Sequence, residues 1–492
     1  MSTVLGIDIG TQNVKAVLYD IDTQQCSAVA SAPLALHQTK TGIAEQEAQW
    51  WIDGLHAAVN QLEPNLRGRV VAIGVSGQQH GFVPINRQGQ PLAPVKLWCD
   101  TSTTAECDYL MTQFGGSGAC LSELGNLILP GYTASKLLWF RNTLPDLYAQ
   151  MDCILLPHDY INFYLTGTKS MEAGDSSGTG FMDVRARQWS EKMLRVIDPQ
   201  VDLRDKLPDI KTSATPIGTL LPNIAQKLGL PPGTPVAPGG GDNMMSAIGT
   251  GNIRSGVITM SLGTSGTIYS YADKPVVDED GSIAAFCSSS GGWLPLICTM
   301  NCTVGTELMR NLFDTDIVAF EATLQASTRG AEGILTVPFF NGERTPNIPA
   351  AKACLFGLDS QNMHQSNFLR ATVEGVTFSL RAGLELLIEQ GLKPEEIVLT
   401  GGGANSPTWR QTVADVCNMP VTILQNQESA AFGAALQALA SESGEALGDL
   451  TAKHIKTDVD AGRKPQQTSV DFYTEHYQAY QKAAAHVEDL YR

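Results

Sequence analysis

One carboxylate follows a run of three glycines near the middle of the chain. Residues 238–245 read PGGGDNMM, so Asp242 stands between a segment without side-chain bulk and a stretch that can begin a helix. As a helix cap it would contribute about 1 kcal/mol to stability. As a general base that accepts a hydroxyl proton it would contribute roughly 10²- to 10⁴-fold in rate. The two roles are compatible, because a helix N-terminus also stabilises a transferring phosphoryl group. The octapeptide alone favours the cap.

Two Gly-Thr turns are the next candidates for chemistry. Gly10 and Thr11 join two apolar, strand-like segments in the first half of the chain, and Gly263 and Thr264 do so in the second half. Successive backbone N–H groups and a hydroxyl can hold a phosphate without any basic side chain. Either turn alone is typical of an ordinary hairpin, whereas the pair suits a nucleotide triphosphate held between two domains.

A third glycine-rich turn supports phosphate binding. Residues 400–409, TGGGANSPTW, follow a predicted strand and precede a predicted helix that Asn405 or Ser406 can cap. The sequence contains neither the spacing of a dinucleotide-binding turn nor a P-loop motif. Asp8, at the end of the first predicted strand, has the oxygen ligands that Mg²⁺ prefers. With three such turns in the chain, the general-base role of Asp242 is favoured over the cap.

Two further polar motifs stand at predicted turns. Residues 76–82, SGQQHGF, leave a strand with Gln79 and His80 in succession. These donors and acceptors suit a polyhydroxylated ligand, and a purely structural histidine is the open alternative. In the second motif, FFNGERTP, we predict a structural ion pair between Glu343 and Arg344.

Alternating strands and helices must position these motifs. Residues 4–9 predict a buried strand that passes through a Gly-Thr turn into a second strand, forming a hairpin. After residue 250 the same order of strand, Gly-Thr turn and strand recurs, which predicts a duplicated domain. We therefore predict an α/β fold with two domains, residues 1–247 and 248–492, the second ending in an amphipathic helix.

Composition restricts the possible partners. A chain of 492 residues exceeds one hydrophobic core, and 33 basic against 50 acidic residues give a net charge of −17. This charge disfavours binding to nucleic acid or to a membrane. The ten cysteines are scattered, and Cys298 and Cys302 have no second pair at zinc spacing. With no signal-like N-terminus and no apolar run of membrane-spanning length, we expect a cytoplasmic protein.

Six motifs together resemble those of the FGGY carbohydrate kinases, in the order of that family. They are GIDIGTQNVKAVL, GQQHG, PGGGDN, SLGTSG, GERTP and GGGANSPTWRQTVAD, and the similarity covers about residues 3–440. The family is part of the actin/hexokinase/Hsp70 superfamily. The resemblance therefore implies two duplicated actin/hexokinase-like (ribonuclease H-like) domains around a central cleft, with sugar bound by the first domain and ATP by the second.

The resemblance also implies a role for individual residues, with Asp242 as the catalytic base on the sugar hydroxyl. The implied sugar contacts are Gln79, His80, Asp242 and Asn243. The implied ligand of Mg²⁺ is Asp8. The implied ATP contacts are Thr11 and Asn13 in the first turn, Gly263 and Thr264 in the second, and Gly402, Gly403 and Asn405 in the third. Related enzymes are often dimers, which makes a homodimer the expected assembly.

Within the family, the segment LILPGYTASKLLWF resembles members that convert D-xylulose to D-xylulose 5-phosphate. Two departures keep other substrates open. Gln78, Gln79 and His80 stand where many bacterial members read Gln-Met-His-Gly, and WCDTST stands where they read Trp-Asn-Asp-Gly-Arg. Ribulose, gluconate, glycerol and other polyols are the alternatives. From a different class, an actin- or Hsp70-like ATPase switch is the competing hypothesis, which the polar GQQHG loop disfavours.

Overall fold

The computed structural model describes residues 2–213 and 215–491, which contain 24 strands and 18 α-helices. The strands are β1 (Thr3–Ile9), β2 (Asn13–Asp20), β3 (Gln25–Pro33), β4 (His37–Gln38), β5 (Ala44–Gln46), β6 (Val70–Gly77), β7 (Val83–Ile85), β8 (Val95–Lys96), β9 (Cys153–Leu155), β10 (Met171–Glu172), β11 (Met182–Asp183), β12 (Gln188–Trp189), β13 (Ile210–Lys211), β14 (Gly218–Thr219), β15 (Pro235–Val236), β16 (Gly240–Gly241), β17 (Val257–Leu262), β18 (Gly266–Ser270), β19 (Ala284–Cys287), β20 (Trp293–Thr299), β21 (Leu335–Val337), β22 (Cys354–Phe356), β23 (Glu396–Thr400) and β24 (Val421–Thr422).

The α-helices are α1 (Ala48–Gln61), α2 (Pro64–Arg67), α3 (Thr104–Phe114), α4 (Ser117–Glu123), α5 (Thr133–Thr143), α6 (Pro145–Tyr148), α7 (Pro157–Thr166), α8 (Ala173–Ser176), α9 (Glu191–Ile197), α10 (Pro222–Leu228), α11 (Asp242–Gly249), α12 (Thr303–Leu312), α13 (Ile317–Ala326), α14 (Gln365–Glu389), α15 (Pro407–Cys417), α16 (Ser429–Ser443), α17 (Leu447–His454) and α18 (Gln467–Tyr491). Three short 3₁₀ helices span Leu203–Lys206, Ala331–Gly333 and Gly402–Asn405.

The chain forms two compact units. The first combines the chain up to Ile253 with Ala272–Leu294 and Glu428–Ile455, and the remaining segments form the second. The sequence predicts a single boundary between residues 247 and 248, whereas in the structure two later segments also belong to the first unit. They belong to it because they pack against its earlier residues. For example, the β19 N–H of Ala285 donates to Asn126 Oδ1 at 2.8 Å, within the first unit.

The first unit is built on a mixed sheet with the order β14-β15-β6-β1-β2-β3. Strands β1, β2 and β3 are antiparallel neighbours, whereas β6 runs parallel to β1 and β15 runs parallel to β6. β1 and β2 form the hairpin that the sequence predicts around its first Gly-Thr turn. Helix α1 covers β2 and β3, and its Trp51 and Leu55 are completely buried.

The second unit repeats this arrangement with the strand order β20-β18-β17-β23-β24. β17, β18 and β20 are antiparallel neighbours, and β23 and β24 continue the sheet in parallel beyond β17. Helices α14 and α15 precede β23 and β24, because parallel neighbours need a crossover connection. Three antiparallel strands followed by two parallel ones in both units confirm the predicted duplication.

Helix α16 lies directly against the first sheet although it comes late in the chain. A Cβ atom at Gly74 of β6 would lie 2.0 Å from the carbonyl oxygen of Ala434, and one at Gly6 of β1 would lie 1.9 Å from that of Ala431. Only glycine permits this distance between a strand and a helix backbone. Small residues on both elements therefore bring α16 into contact with the centre of the sheet.

The C-terminal helix α18 packs within the second unit, as the sequence predicts for an amphipathic helix. Its Tyr473, Tyr477 and Tyr480 are buried and lie against Phe378 of α14. All ten cysteines are free thiols. Across residues 2–213 and 215–491, no helix is both long enough and apolar enough to cross a membrane.

Candidate active site

The glycine segment places Asp242 at the first position of helix α11. Strand β16 pairs in parallel with the end of β6, and α11 begins at the next residue. Gln437 of α16 holds the segment by accepting the N–H of Gly239 at 2.8 Å and donating to its carbonyl at 3.0 Å. Asp242 Oδ1 accepts the N–H of Asn243 at 2.8 Å, while Gly241 takes the N-cap position. Asp242 is therefore the first helical residue and not the cap.

The surroundings of Asp242 make its carboxylate a stronger base than usual. Its side chain keeps part of its solvent exposure, yet desolvation by the surrounding protein and the nearby charge of Asp8 raise the pKa of Asp242 to about 7. Burial also raises the pKa of Asp8, against the hydrogen bond of 2.7 Å that Ser76 Oγ donates to Asp8 Oδ1. A base with a pKa near neutrality is suited to proton abstraction at physiological pH.

Polar side chains stand beside Asp242, as the sequence predicts. Asn243 Nδ2 donates to Gln79 Oε1 at 2.7 Å and to Asp242 Oδ1 at 3.1 Å. Gln79 Nε2 donates in turn to Met244 Sδ at 3.2 Å. The strand-end motif and the glycine segment are therefore joined through Gln79 and Asn243, so two candidate sugar contacts are placed next to the candidate base.

His80 has an unusual backbone conformation that its neighbours stabilise. Its φ of 62° lies in the left-handed region, which is rare for residues other than glycine. Lys136 Nζ and Thr133 Oγ1 donate to the His80 carbonyl at 2.9 and 3.2 Å. The imidazole lies against the rings of Tyr132 and Phe286, at centroid distances of 5.0 and 5.2 Å. Both its main chain and its ring are thus fixed.

A buried charge network continues from His80. His158 Nδ1 lies 3.1 Å from Asp175 Oδ2, and His158 Nε2 lies 2.9 Å from Asp159 Oδ1. Burial opposes ionisation of Asp175, but the hydrogen bonds from His158 and His80 hold the pKa of Asp175 at about 2. Burial alone would lower the pKa of His158, but Asp159 and Asp175 raise this pKa well above its ordinary value. The Asp175 carboxylate therefore stays ionised beside His80, where His158 balances its charge.

The first Gly-Thr turn is held by side chains of the same unit. Thr11 Oγ1 donates to Gln78 Oε1 and accepts from Trp98 Nε1, both at 3.0 Å. The Thr11 carbonyl accepts from Gln46 Nε2 at 2.8 Å. The hydroxyl already has a donor and an acceptor within the protein, so any phosphate contact at this turn falls mainly to its backbone. Asn13 is the first residue of β2.

The residues around Asp8 fit a Mg²⁺ ion that is also bound by phosphate. Mg²⁺ typically takes one or two carboxylates, and water and phosphate oxygens complete its shell. Asp8 and Asp242 provide two nearby carboxylates, whereas in the described part of the chain no group of three or more His, Cys, Asp or Glu side chains could enclose a metal. The donor set therefore fits Mg²⁺ that arrives with a phosphate and does not fit a metal held by the protein alone.

The second Gly-Thr turn has a defined peptide orientation. The carbonyls of Gly263 and Thr264 accept the N–H groups of Thr303 and Cys302, at 2.9 and 3.1 Å. In a trans peptide the C=O of one residue and the N–H of the next point in opposite directions. The N–H groups of Thr264 and Ser265 consequently point away from helix α12. This orientation supports the predicted anion cradle.

The third turn lies against the second. A Cβ atom at Gly401, whose φ is +85°, would lie 2.6 Å from the carbonyl carbon of Leu262, so only glycine suits this position. A Cβ at Gly402 would meet no atom within 4 Å, and Asn405 is exposed. Ser406 Oγ caps α15 by accepting the N–H of Trp409 at 3.0 Å. Of the two predicted caps, Ser406 is thus the one observed.

The predicted site residues fall into two sets. The first unit contains Asp8, Thr11, Asn13, Gln79, His80, Asp242 and Asn243, and of these Asp8, Gln79 and Asn243 lie around Asp242. The second unit contains Gly263, Thr264, Gly402, Gly403 and Asn405. Asp175, His158 and Lys136 are contributors that the sequence analysis missed. These three residues have a signal in the sequence, because each is a polar residue in or near an apolar segment. Lys136 lies in TASKLLWF, His158 lies in PHDY, and Asp175 lies in AGDSSG.

Comparison with known proteins matches most of the chain to one family. The N-terminal domain model of the FGGY family of carbohydrate kinases matches residues 3–249, and the C-terminal domain model matches residues 258–442. The xylulose kinase of Haemophilus influenzae is 43% identical over 497 aligned positions, covering 99% of this chain and 100% of the relative. The xylulose kinase of Bacillus subtilis is 34% identical, with 100% and 98% covered.

A solved structure agrees with this match. The crystal structure of a xyloylose kinase from Brucella ovis superposes with a TM-score of 0.91 at 28% identity, covering 99% of this chain and 100% of the other. The similarity extends over both units. It confirms the predicted α/β fold of the actin/hexokinase-like type.

Proposed function

The chain belongs to the FGGY family of carbohydrate kinases, and from this premise we propose that it transfers the γ-phosphoryl group of ATP to D-xylulose, producing D-xylulose 5-phosphate and ADP. Members of the family are phosphotransferases that act on a sugar hydroxyl. Similarity to a xylulose kinase over the full chain, at 43% identity, supports the choice of sugar. The observation that carries the chemical step is the position of Asp242, a carboxylate with a pKa of about 7 at the start of a helix.

Asp242 acts as the general base in this proposal. As the sugar oxygen forms its bond to the γ-phosphorus, the hydroxyl proton moves to the Asp242 carboxylate and the bond between the γ-phosphorus and the β,γ-bridging oxygen of ATP breaks. The raised pKa keeps the carboxylate basic enough to accept this proton near neutral pH. The N-terminus of α11 adds a partial positive charge where the phosphoryl group passes.

Gln79, His80 and Asn243 orient the sugar. The bond between Asn243 and Gln79 fixes their amide groups next to Asp242, and the packed imidazole of His80 presents a rigid polar group from the same strand end. Rigid donors and acceptors hold the reacting hydroxyl in one orientation, which lowers the entropic part of the barrier. This arrangement supports residues 1–247 as the sugar-binding domain.

In this proposal ATP is bound by the C-terminal part of the chain, residues 248–492, through two turns that lie in the second unit. The N–H groups of Thr264 and Ser265 hold phosphate, with Gly263 permitting close approach, and Thr11 and Asn13 contribute from the first turn. Gly402, Gly403 and Asn405 contact the adenosine side, where the open space beside Gly402 leaves room for a ligand. Asp8 holds Mg²⁺, which when bound neutralises charge on the phosphates.

We also propose where the protein is located and how its chains assemble. Ten free cysteines support a reducing compartment such as the cytoplasm. We propose a homodimer, as suggested by the family resemblance, and expect light scattering coupled to gel filtration to give twice the mass of one chain. A mass of one chain at all concentrations would contradict the dimer without affecting the proposed reaction.

An ADP-release assay with a panel of sugars tests the function. We expect D-xylulose to give the highest kcat/KM among D-xylulose, D-ribulose, gluconate and glycerol, and ³¹P NMR to identify the product as the 5-phosphate. Asp242→Asn should lower kcat by at least about a hundredfold and leave ADP binding unchanged. Asp108→Asn, which changes an exposed acid of α3, is the matched control. Near-wild-type turnover by Asp242→Asn would contradict the base role. ATP hydrolysis that no sugar accelerates would instead favour the ATPase switch.

A further inference from the structure

We propose that Glu343 is a positioning residue for the second Gly-Thr turn, and that its carboxylate sets the affinity for ATP without touching the nucleotide. The proposal rests on the nucleotide-binding role of Gly263 and Thr264 given above. It assigns to the NGERTP motif a role different from the ion pair with Arg344 that the sequence predicts.

The Glu343 carboxylate is buried and accepts hydrogen bonds from two segments of the second unit. Only 2% of the surface of Glu343 is exposed to solvent. Oε1 accepts the N–H of Met300 at 2.6 Å and the N–H of Arg344 at 2.8 Å, and Oε2 accepts from Asn301 Nδ2 at 3.1 Å. Its contact with Arg344 is therefore made to the main chain, and its other contacts reach the end of β20.

Asn301 completes the connection between these two segments. Its Nδ2 also donates to the Gly342 carbonyl at 2.7 Å, and its Oδ1 accepts the N–H of Asn341 at 3.0 Å. The loop of residues 341–344 and the segment of residues 300–301 are thus joined by hydrogen bonds from both side chains, Glu343 and Asn301. We call this set of contacts the Glu343 anchor.

The residues that follow the anchor hold the phosphate turn. Cys302 N–H donates to the Thr264 carbonyl at 3.1 Å, and Thr303 N–H donates to the Gly263 carbonyl at 2.9 Å. These bonds orient the peptide planes of the turn and point the N–H of Thr264 away from α12. Only one residue, Asn301, stands between Met300, which the Glu343 carboxylate holds, and Cys302, which holds the turn. A shift of residues 300–301 therefore rotates the N–H groups that face the phosphate.

A carboxylate is an expensive group to bury at this position. Burial raises the pKa of Glu343 to about 7, although the N–H groups of Met300 and Arg344 and the Asn301 amide oppose this increase. The thiol of Cys302 and the hydroxyl of Tyr480 on α18 are the other titratable groups that its charge influences. A neutral side chain of similar size would avoid the desolvation penalty. The carboxylate is useful because it accepts from three donors on two segments.

Nucleotide binding by variants of Glu343 tests the proposal. We expect Glu343→Ala to raise the Kd for ADP, measured calorimetrically without sugar, and the KM for ATP by about tenfold or more. The KM for the sugar should change by less than about twofold. Glu343→Gln retains an acceptor for Met300 and Arg344, and should restore the Kd to within about threefold of the wild-type value. If Glu343→Ala does not fold, Glu343→Asp replaces it, because the shorter side chain cannot reach all three donors.

Glu374→Ala is the matched control for a loss of stability. Glu374 lies in the same unit on α14, is 1% exposed, and accepts the N–H of Gly330 at 3.0 Å as well as Arg370 Nε at 2.7 Å. We expect this variant to lower the Tm without changing the Kd for ADP. An unchanged Kd in Glu343→Ala or Glu343→Asp, or an equal increase in Glu374→Ala, would overturn the positioning role. Because ADP binding is measured without sugar, this test is independent of which sugar is phosphorylated.

Discussion

Asp175 contacts His80 at two points, through the backbone and through the ring. Asp175 Oδ1 accepts the N–H of His80 at 3.3 Å and lies 3.4 Å from His80 Nδ1. One carboxylate thus stabilises both the left-handed backbone of His80 and the orientation of its imidazole. Because Asp175 is fully buried and held ionised by His158, its effect on His80 is not screened by water.

We expect Asp175→Asn to impair sugar binding selectively. The substitution keeps the shape of the side chain but removes the charge that attracts both imidazoles, and hydrogen bonds to charged groups are worth about 1.5–3 kcal/mol. The kcat/KM for the sugar should fall by about tenfold to a hundredfold, while the Kd for ADP stays constant. Steady-state kinetics with varied sugar and calorimetry with ADP measure the two quantities. Asp159→Asn, which alters the same network at His158 and not at His80, should have a smaller effect. Equal losses in both variants would contradict a direct role of Asp175 at His80.

The pH dependence of turnover should report the Asp242 carboxylate. The base must be unprotonated, so we expect kcat/KM to increase with pH, to reach half of its maximum near pH 7 and to level off above that. Asp8→Asn removes a neighbouring negative charge that raises this pKa. Whatever its effect on the maximal rate, the variant should therefore shift the acidic limb of the normalised profile to lower pH. The exposed Asp53→Asn is the control. If the midpoint of the acidic limb is the same in Asp8→Asn as in the wild type, a group other than Asp242 is responsible for this limb.

Lys136 should make the stability of the protein depend on pH in the alkaline range. Its ammonium is fully buried, and burial lowers the pKa of Lys136 from 10.5 to about 7. Between these two values the unfolded chain binds a proton that the folded chain does not, so stability rises with pH. In Lys136→Met this contribution is absent. We expect the free energy of unfolding of the wild type, relative to the variant, to increase from about pH 7 to about pH 10 in urea titrations. Parallel pH dependences would contradict the lowered pKa.

Gly74→Ala should destabilise the first unit. The new Cβ would lie 2.0 Å from the backbone oxygen of Ala434, and a backbone atom can move only with the whole helix. We expect a loss of about 1–3 kcal/mol or more in the free energy of unfolding, measured in urea. Gly118→Ala is the control, because a Cβ there would meet no atom within 4 Å and the residue lies in helix α4. This variant should be neutral or more stable by up to about 1 kcal/mol. Similar losses in both variants would contradict the close approach of α16.

Local patterns predicted the elements and their duplication, whereas long-range packing decided the limits of the units. The apolar strands and the Gly-Thr turns are readable in short windows, and so both hairpins were correctly predicted. Residues 272–294 and 428–455 pack with the first unit because of contacts across hundreds of residues. No local signal in the alanine-rich sequence of α16 says which sheet it covers.

The same distinction applies to the site. Asp242 was singled out because it directly follows three glycines, and His80 because it follows two amides at the end of a predicted strand. The partner of His80 was missed, because 95 residues separate it from Asp175 and no spacing rule joins them. The predicted ion pair of Glu343 with Arg344 was based on adjacency alone. The acceptor geometry of a buried carboxylate depends on the fold, which brings Met300 within reach.

Helix α16 also has a consequence for biosynthesis. The ribosome releases β1 and β6 early, but the helix that lies against them is translated only after the entire second sheet. Until residues 429–443 emerge, the nascent first unit exposes the glycine-lined centre of its sheet. Its final closure is therefore a late step of biosynthesis that depends on a distant part of the polypeptide, and we expect a chain terminated before this point to be a substrate for chaperones and proteases.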